Sequence, residues 1–234
     1  MTRIFYVSIC SLLLSACATM NGNGHIKSES REAGQFTGVE SSASVDIDIK
    51  KGATAMVKIE GDENLLQYVT TEVKGGILII GLKPNISFNS SHLKAYITTP
   101  VLKNLVVTGS SSILSHDFFD NEGETNFTLT GSGDIKASVH SPSVTTDLSG
   151  SGSITIKGET KTLHVTVSGS GDVKCHDLKS ENTSVDVSGS GGAHVYASQT
   201  LTAEVTGSGD VYYSGNPASP RITKTGSGSI QPEK

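Results

Sequence analysis

The 234-residue chain contains no tryptophan, and aromatic residues make up only 5% of it. A core built from this sequence must therefore consist of small aliphatic side chains. The 18 Lys and Arg residues are outnumbered by 23 Asp and Glu residues, and no segment concentrates the basic ones. Because phosphate binding needs clustered Lys and Arg, we expect no nucleic-acid partner.

The chain also lacks a hydrophobic run long enough for a stable transmembrane anchor. The longest run, Ile4 to Leu14, follows Arg3 and ends in small residues. Its length and flanks are typical of a secretory signal, which we assign to residues 1–16.

The tetrad Leu14-Ser15-Ala16-Cys17 resembles the lipobox of bacterial lipoproteins, and this resemblance implies cleavage before Cys17 and lipidation of its thiol. The alternative is an ordinary signal peptide with an incidental cysteine. Ala18 stands where an aspartate would imply retention in the inner membrane, so the resemblance favours the outer membrane. The processed chain would carry 17 basic and 23 acidic residues, a net charge of −6. It would keep only Cys175 as a free thiol, which excludes an internal disulfide.

Residues 17–35 are polar and lack periodicity, which predicts a flexible tether from membrane to domain. From Phe36 onward, apolar residues alternate with polar ones, as in half-buried strands. Gly75-Gly76 predicts a hairpin turn, Leu65 to Tyr68 a single helical turn, and Asn85 to Ser91 a polar loop. Residues 36–234 are expected to form a single domain.

A Gly-Ser-Gly motif recurs from Gly109 to the end of the chain, and its first copy is degenerate. Counted between first glycines, the steps are 22, 19, 19, 20, 18 and 19 residues. Self-similarity at such a period predicts an all-β solenoid with one repeat per coil and a strand-rich N-terminal portion. The first glycines are Gly109, Gly131, Gly150, Gly169, Gly189, Gly207 and Gly226.

Two positions of the repeat are predicted to point into the core. The fifth position is always aliphatic or alanine, and so is the position two before the first glycine until Lys224. Side chains between the core positions, such as Lys136 and Tyr212, should face water. The second-position serines could hydrogen-bond to one another, and the last repeat, with Pro220 and Pro232 beside it, should be a cap that protects an edge. The fifth-position residues are Ile113, Ile135, Ile154, Val173, Ala193, Val211 and Ile230.

The lipobox, the start Phe36-Thr37-Gly38-Val39, the segment Thr99-Pro100-Val101-Leu102-Lys103-Asn104-Leu105 and the repeated Gly-Ser-Gly-Asp motif together resemble the putative auto-transporter adhesin head GIN domain family. The resemblance covers roughly Phe36 to Pro217. It implies a right-handed β-helix-like solenoid in a cell-envelope protein. It brings no catalytic residues with it.

The motif does not predict a phosphate or metal site. A P-loop needs a lysine and a following helix, whereas a strand follows each Gly-Ser-Gly. Calcium would need six to eight oxygen ligands, but only Asp134, Asp172 and Asp210 occupy the fourth position, at alternate repeats. The seven histidines show no metal-ligand spacing, and Cys175 falls in an inward column, so we predict a buried structural thiol.

The sequence therefore predicts a non-enzymatic envelope lipoprotein without cofactor or metal. Its solenoid would present a Ser/Thr-rich surface to a glycan, another envelope protein or a host surface. One alternative is a periplasmic structural or signalling accessory domain without an external ligand. Another is a β-helix enzyme that degrades polysaccharides, for which only the acidic segment from His116 to Glu124 offers carboxylates outside the regular repeat. We interpret that segment as a structural turn.

Overall fold

A computed structural model describes residues 18–90 and 92–233 and is almost entirely β, with a single short helix in this part of the chain. The N-terminal portion comprises β1 (Ala18–Asn21), β2 (Ile26–Arg31), β3 (Gly38–Ser41), β4 (Asp46–Lys51), β5 (Met56–Asp62), α1 (Glu63–Leu66), β6 (Val69–Lys74), β7 (Ile77–Leu82), β8 (Ile86–Ser90) and β9 (Leu93–Thr99). The repeats comprise β10 (Asn104–Gly109), β11 (Ser112–Asp120), β12 (Glu124–Gly131), β13 (Asp134–Gly150), β14 (Ser153–Gly169), β15 (Asp172–Lys174), β16 (Leu178–Gly189), β17 (Gly192–Ala197), β18 (Thr200–Gly207), β19 (Asp210–Gly215), β20 (Arg221–Gly226) and β21 (Ser229–Pro232).

The strands form two ladders, and each coil of the chain adds one strand to each ladder. The first ladder runs β6, β7, β3, β10, β12, β13, β14, β16, β18, β20. The second runs β2, β5, β9, β4, β11, β13, β14, β15, β17, β19, β21. The long strands β13 and β14 belong to both. The predicted β-solenoid is confirmed, with about 7 turns at a spacing of about 19 residues.

Parallel pairing places each repeat directly on its predecessor. The seven first glycines pair with one another in an unbroken series. The fifth-position residues pair in the same way, and all of them except the partly buried Ile230 are at most 1% exposed. One repeat per coil and the inward column are therefore confirmed.

Each first glycine lies in a glycine corner, the Gly-Ser-Gly turn between the two ladders. Gly150 has φ 126°, and a Cβ built on it would lie 2.2 Å from the carbonyl oxygen of Gly131 in the preceding coil. A Cβ on Gly152 would lie 2.2 Å from the carbonyl oxygen of Gly133. The motif thus recurs because successive backbones approach too closely for any side chain, in addition to the positive φ of the first glycine.

The opposite bend of the coil is held by buried hydroxyl groups. Ser141 Oγ donates to the carbonyl oxygen of Ser143 at 2.8 Å, and Thr160 Oγ1 donates to that of Thr162 at 3.0 Å. Ser180 occupies the same position one coil later and is 2% exposed. These hydroxyl groups therefore supply hydrogen bonds to carbonyl groups next to the bend.

The prediction of a flexible tether over residues 17–35 is wrong for two segments, because β1 and β2 lie within it. β2 pairs antiparallel with β5 along its whole length. The buried Asp62 carboxylate accepts hydrogen bonds from the backbone N–H groups of Gly24 (2.7 Å) and His92 (2.9 Å). These two bonds lower the pKa of Asp62, the His92 bond more than the Gly24 bond. Backbone pairing on a sheet edge needs no apolar periodicity, which explains the polar sequence of β2.

The polar loop predicted from Asn85 to Ser91 is also wrong in part. Residues 86–90 form β8, which pairs in parallel with β1 in a separate two-stranded sheet. The hairpin around Gly75-Gly76 is confirmed, since β6 and β7 pair antiparallel across it. The predicted helical turn is present as α1, two residues earlier than expected, and buries Leu65 and Leu66.

The last coil is atypical, as predicted. Every residue of β20 is exposed, including Lys224, which pairs with the buried Val205 of the preceding coil. Among the described residues, no strand pairs with the outer edge of β20. A charged residue at the core position of an edge strand disfavours pairing with other chains.

Candidate binding surface

The predicted lipidation site, Cys17, lies outside the residues that the structure describes, so its assignment stays a prediction. Over residues 18–90 and 92–233, no helix is both long enough and apolar enough to cross a membrane.

Cys175 is fully buried, in line with the prediction of a structural thiol. Burial raises the pKa of the Cys175 thiol to about 12, while a backbone hydrogen bond with Ile156 acts weakly in the opposite direction. The thiolate is the reactive form of cysteine, so this side chain is chemically inert at neutral pH.

Residues of the acidic segment from His116 to Glu124 form ion pairs and hydrogen bonds with neighbouring parts of the fold. Asp120 binds Lys51 Nζ at 2.7 Å and His140 Nδ1 at 2.9 Å, and these contacts lower the pKa of the carboxyl group, Lys51 most. Asn121 is buried and donates to the carbonyl oxygen of Leu102 and to Thr125 Oγ1, both at 2.8 Å. In the described part of the chain, no three His, Cys, Asp or Glu side chains lie close enough together to hold a metal ion.

Two columns of exposed hydroxyl groups flank the glycine corners along seven successive coils, and we call these fourteen residues the hydroxyl edge. The first column contains the residue before each first glycine: Thr108, Thr130, Ser149, Ser168, Ser188, Thr206 and Thr225. The second contains the residue after it: Ser110, Ser132, Ser151, Ser170, Ser190, Ser208 and Ser227. All fourteen are exposed and none is charged. Adjacent coils lie about 4.8 Å apart, so the columns form a regular array.

The hydroxyl groups of the second column do not bond to one another, contrary to expectation. Each serine from Ser132 onward donates its backbone N–H to the first glycine of the preceding coil, as Ser170 does to Gly150 at 2.9 Å. Within the described residues, no side-chain hydrogen bond joins two members of either column. The fourteen hydroxyl groups are therefore available to water or to a partner.

The sequence predicted a Ser/Thr-rich surface and the second column, but not the first column. The signal was present as a hydroxyl residue at every position before a first glycine. A hydroxyl group both donates and accepts hydrogen bonds, so the edge can bind a partner whose own groups donate and accept them. Its chemistry suits non-covalent recognition of neutral polar groups.

The chain matches the model of one protein family over residues 35–217, and that family is described as "Putative auto-transporter adhesin, head GIN domain". A search of curated proteins finds no match. The family and the similar solved structures bear names of adhesins or binding proteins, not enzymes.

Several solved structures share the fold over nearly their whole length. A putative adhesin from Bacteroides fragilis superposes with a TM-score of 0.86 at 16% identity, covering 92% of this chain and 100% of that one. A putative lipid binding protein from Parabacteroides distasonis has a TM-score of 0.74 at 26% identity, covering 93% and 100%. A putative adhesin from the same species has a TM-score of 0.68 at 22% identity, covering 92% and 100%. Taken with the stacked glycine corners, the match over residues 35–217 shows that this chain belongs to the putative auto-transporter adhesin, head GIN domain family.

Proposed function

We propose that this protein is an envelope lipoprotein that binds a neutral glycan non-covalently through the hydroxyl edge, in an adhesin-like role. Family membership indicates a cell-surface or envelope protein. The observation that carries the proposal is the hydroxyl edge itself, which is exposed, uncharged and continuous over seven coils.

Two physical arguments favour a polymeric glycan as the partner. Sugar hydroxyl groups donate and accept as those of the edge do, and no charged group of the edge itself must lose its hydration. A single hydrogen bond contributes only about 0.5–1.5 kcal/mol, so recognition by one coil would be weak. A repeating ligand that engages several coils at once gains from effective concentration.

Removal of three hydroxyl groups from the centre of the edge should weaken binding. We expect the triple variant Ser151→Ala, Ser170→Ala, Ser190→Ala to bind insoluble chitin or cellulose at least about tenfold more weakly than wild type. Pull-down isotherms measure this. A matched control, Thr155→Ala, Ser184→Ala, Thr202→Ala, removes three hydroxyl groups elsewhere on the solenoid and should bind like wild type. Equal loss in both triple variants, or no binding by wild type to either polymer, would refute the hydroxyl edge as a glycan surface.

Lipidation at Cys17 is the second part of the proposal. Cys17→Ala should release the protein from membranes or leave the precursor unprocessed, as fractionation and mass measurement will show. Membrane retention of a processed variant would rule out the anchor. Protease treatment of intact cells then separates surface display, in which the domain is removed, from a periplasmic accessory role, in which it is protected.

A further inference from the structure

A groove of about 720 Å³ lies at the N-terminal end of the second ladder. Its lining residues come before the first glycine corner in the sequence. This volume falls within the range of about 300–1,000 Å³ that is usual for small-molecule sites. The groove is formed where β2, β5, β9 and β4 lie side by side. Its lining includes Arg31, Ala33, Lys50, Met56, Lys58 and Tyr96.

The lining of the groove is largely apolar. Met56 is 59% exposed, more than any other large apolar side chain in the described part of the chain. Ala33 and Ala55 lie partly buried beside it and pack against the core. A thioether side chain is flexible and adapts to irregular ligands, so Met56 suits contact with a hydrocarbon chain.

Three basic side chains line the groove, and two of them form ion pairs with neighbouring glutamates. Arg31 binds Glu29 at 2.7 Å, and Lys58 binds Glu60 at 3.2 Å while it lies 4.6 Å from the centre of the Tyr96 ring. Lys50 is exposed on β4 and forms no ion pair within the described residues.

Neither of the two carboxylates that line the groove forms an ion pair with Lys50. Asp48 is bound by Lys94 at 3.0 Å and lies 3.4 Å from His116. Glu32 directly follows the last residue of β2, and β2 is not adjacent to β4. The lining therefore combines apolar side chains with one ammonium group that has no ion-pair partner among the described residues.

We infer that this groove binds a single-chain anionic amphiphile of the fatty-acid class, with the hydrocarbon chain against Met56 and the carboxylate at Lys50 Nζ. Burial of the chain would supply most of the affinity, because apolar burial is the main driving force of such binding. The exposed ion pair would orient the head group and contribute less. The site is separate from the hydroxyl edge, so it can be tested independently of the proposed glycan binding.

Calorimetric titration of the purified full-length protein with sodium dodecanoate, below its micellar concentration, tests this inference. Wild type should bind, and Met56→Asp should bind at least about tenfold more weakly. The matched control Ile222→Asp changes an exposed apolar residue on β20, at the other end of the solenoid, and should bind like wild type. Met56 is exposed, so its variant should melt like wild type. Equal affinity of Met56→Asp and wild type would overturn the site.

The head-group assignment has its own test. Lys50→Ala should weaken dodecanoate binding about twofold to fivefold, as expected of an exposed ion pair, and leave binding of 1-dodecanol unchanged. If 1-dodecanol binds and dodecanoate does not, or if Lys50→Ala weakens both equally, the groove does not select an anion.

Discussion

Replacement of Val173 by aspartate is expected to unfold the solenoid. Val173 is completely buried in β15 and pairs with Ile154 on one side and Ala193 on the other. A carboxylate at this position would have no partner and no water, at a cost of several kcal/mol. The total stability of a domain is only about 5–15 kcal/mol, so the cost is a large part of it. Thermal melting followed by circular dichroism measures the loss.

Two controls separate the buried charge from the other effects of substitution. Val173→Ala removes only methyl groups and should lower the free energy of unfolding by about 1–3 kcal/mol. Lys174→Asp places the same carboxylate on the next residue of β15, which is exposed, and should melt close to wild type. If Val173→Asp and Val173→Ala both melt like wild type, the packed column does not hold the coils together.

A double variant with Ser153→Asp and Gly192→Asp is expected to destabilise the protein at low ionic strength. The fourth-position residues stack in one column, in which aspartates alternate with neutral residues. The column consists of Ser112, Asp134, Ser153, Asp172, Gly192, Asp210 and Ser229. The double variant would create five consecutive carboxylates. At about 4.8 Å, two like charges repel by about 3.5 kcal/mol at an effective dielectric of 20, before screening by salt.

Each added carboxylate would lie close to existing ones. A Cβ on Gly192 would lie 3.0 Å from Asp172 Oδ1. A neutral neighbour can instead bind an aspartate, as Ser229 does when it donates to Asp210 Oδ1 through its backbone N–H at 2.8 Å and its hydroxyl at 2.6 Å. The double variant would replace the neutral Ser153 by a carboxylate between Asp134 and Asp172 and so add repulsion there.

Added sodium chloride should restore part of the lost stability, and calcium should stabilise the double variant while it has little effect on wild type. Ser151→Asp with Ser190→Asp is the matched control, because it adds two charges to the same coils in a column without carboxylates. It should lose much less stability. If the two double variants melt alike at low salt, repulsion along the column is not the cause.

The coil architecture was predictable because every repeat needs the same residue types at the same positions. From Gly131 onward the glycine corners leave no room for a Cβ, and the stacked strands need aliphatic residues at two fixed positions, so both columns appear in the sequence at a spacing close to 19 residues. The N-terminal strands β2 and β8 were not predictable in this way. They are held by backbone pairing and by single contacts such as those of Asp62, which leave no periodic pattern.

The candidate surfaces were predictable to different degrees for the same reason. The hydroxyl edge follows from the repeat, so its second column was identified from the serines of the motif. The groove beside Met56 depends on antiparallel pairing of β2 and β5 with β9, which brings together residues from four separate segments. No local pattern relates Lys50 to Met56 or Ala33, and the groove became visible only in three dimensions.

The register between coils also bears on how the length of such a protein can change. Residues 134 to 152 pair one to one with the coil that follows, apart from the bend at Pro142 and the Gly-Ser-Gly turn. The first glycines and the fifth-position residues of the two coils match, whereas the outward-facing residues differ. An internal duplication of one such unit would again place glycine on glycine and Ile135 on an identical isoleucine, although it would also stack the two copies of Asp134. It would lengthen the molecule by about 4.8 Å and add one pair of hydroxyl groups to the edge, without altering either end. Reach and valency could therefore change in whole steps through recombination, whereas an insertion inside a paired strand would break the register.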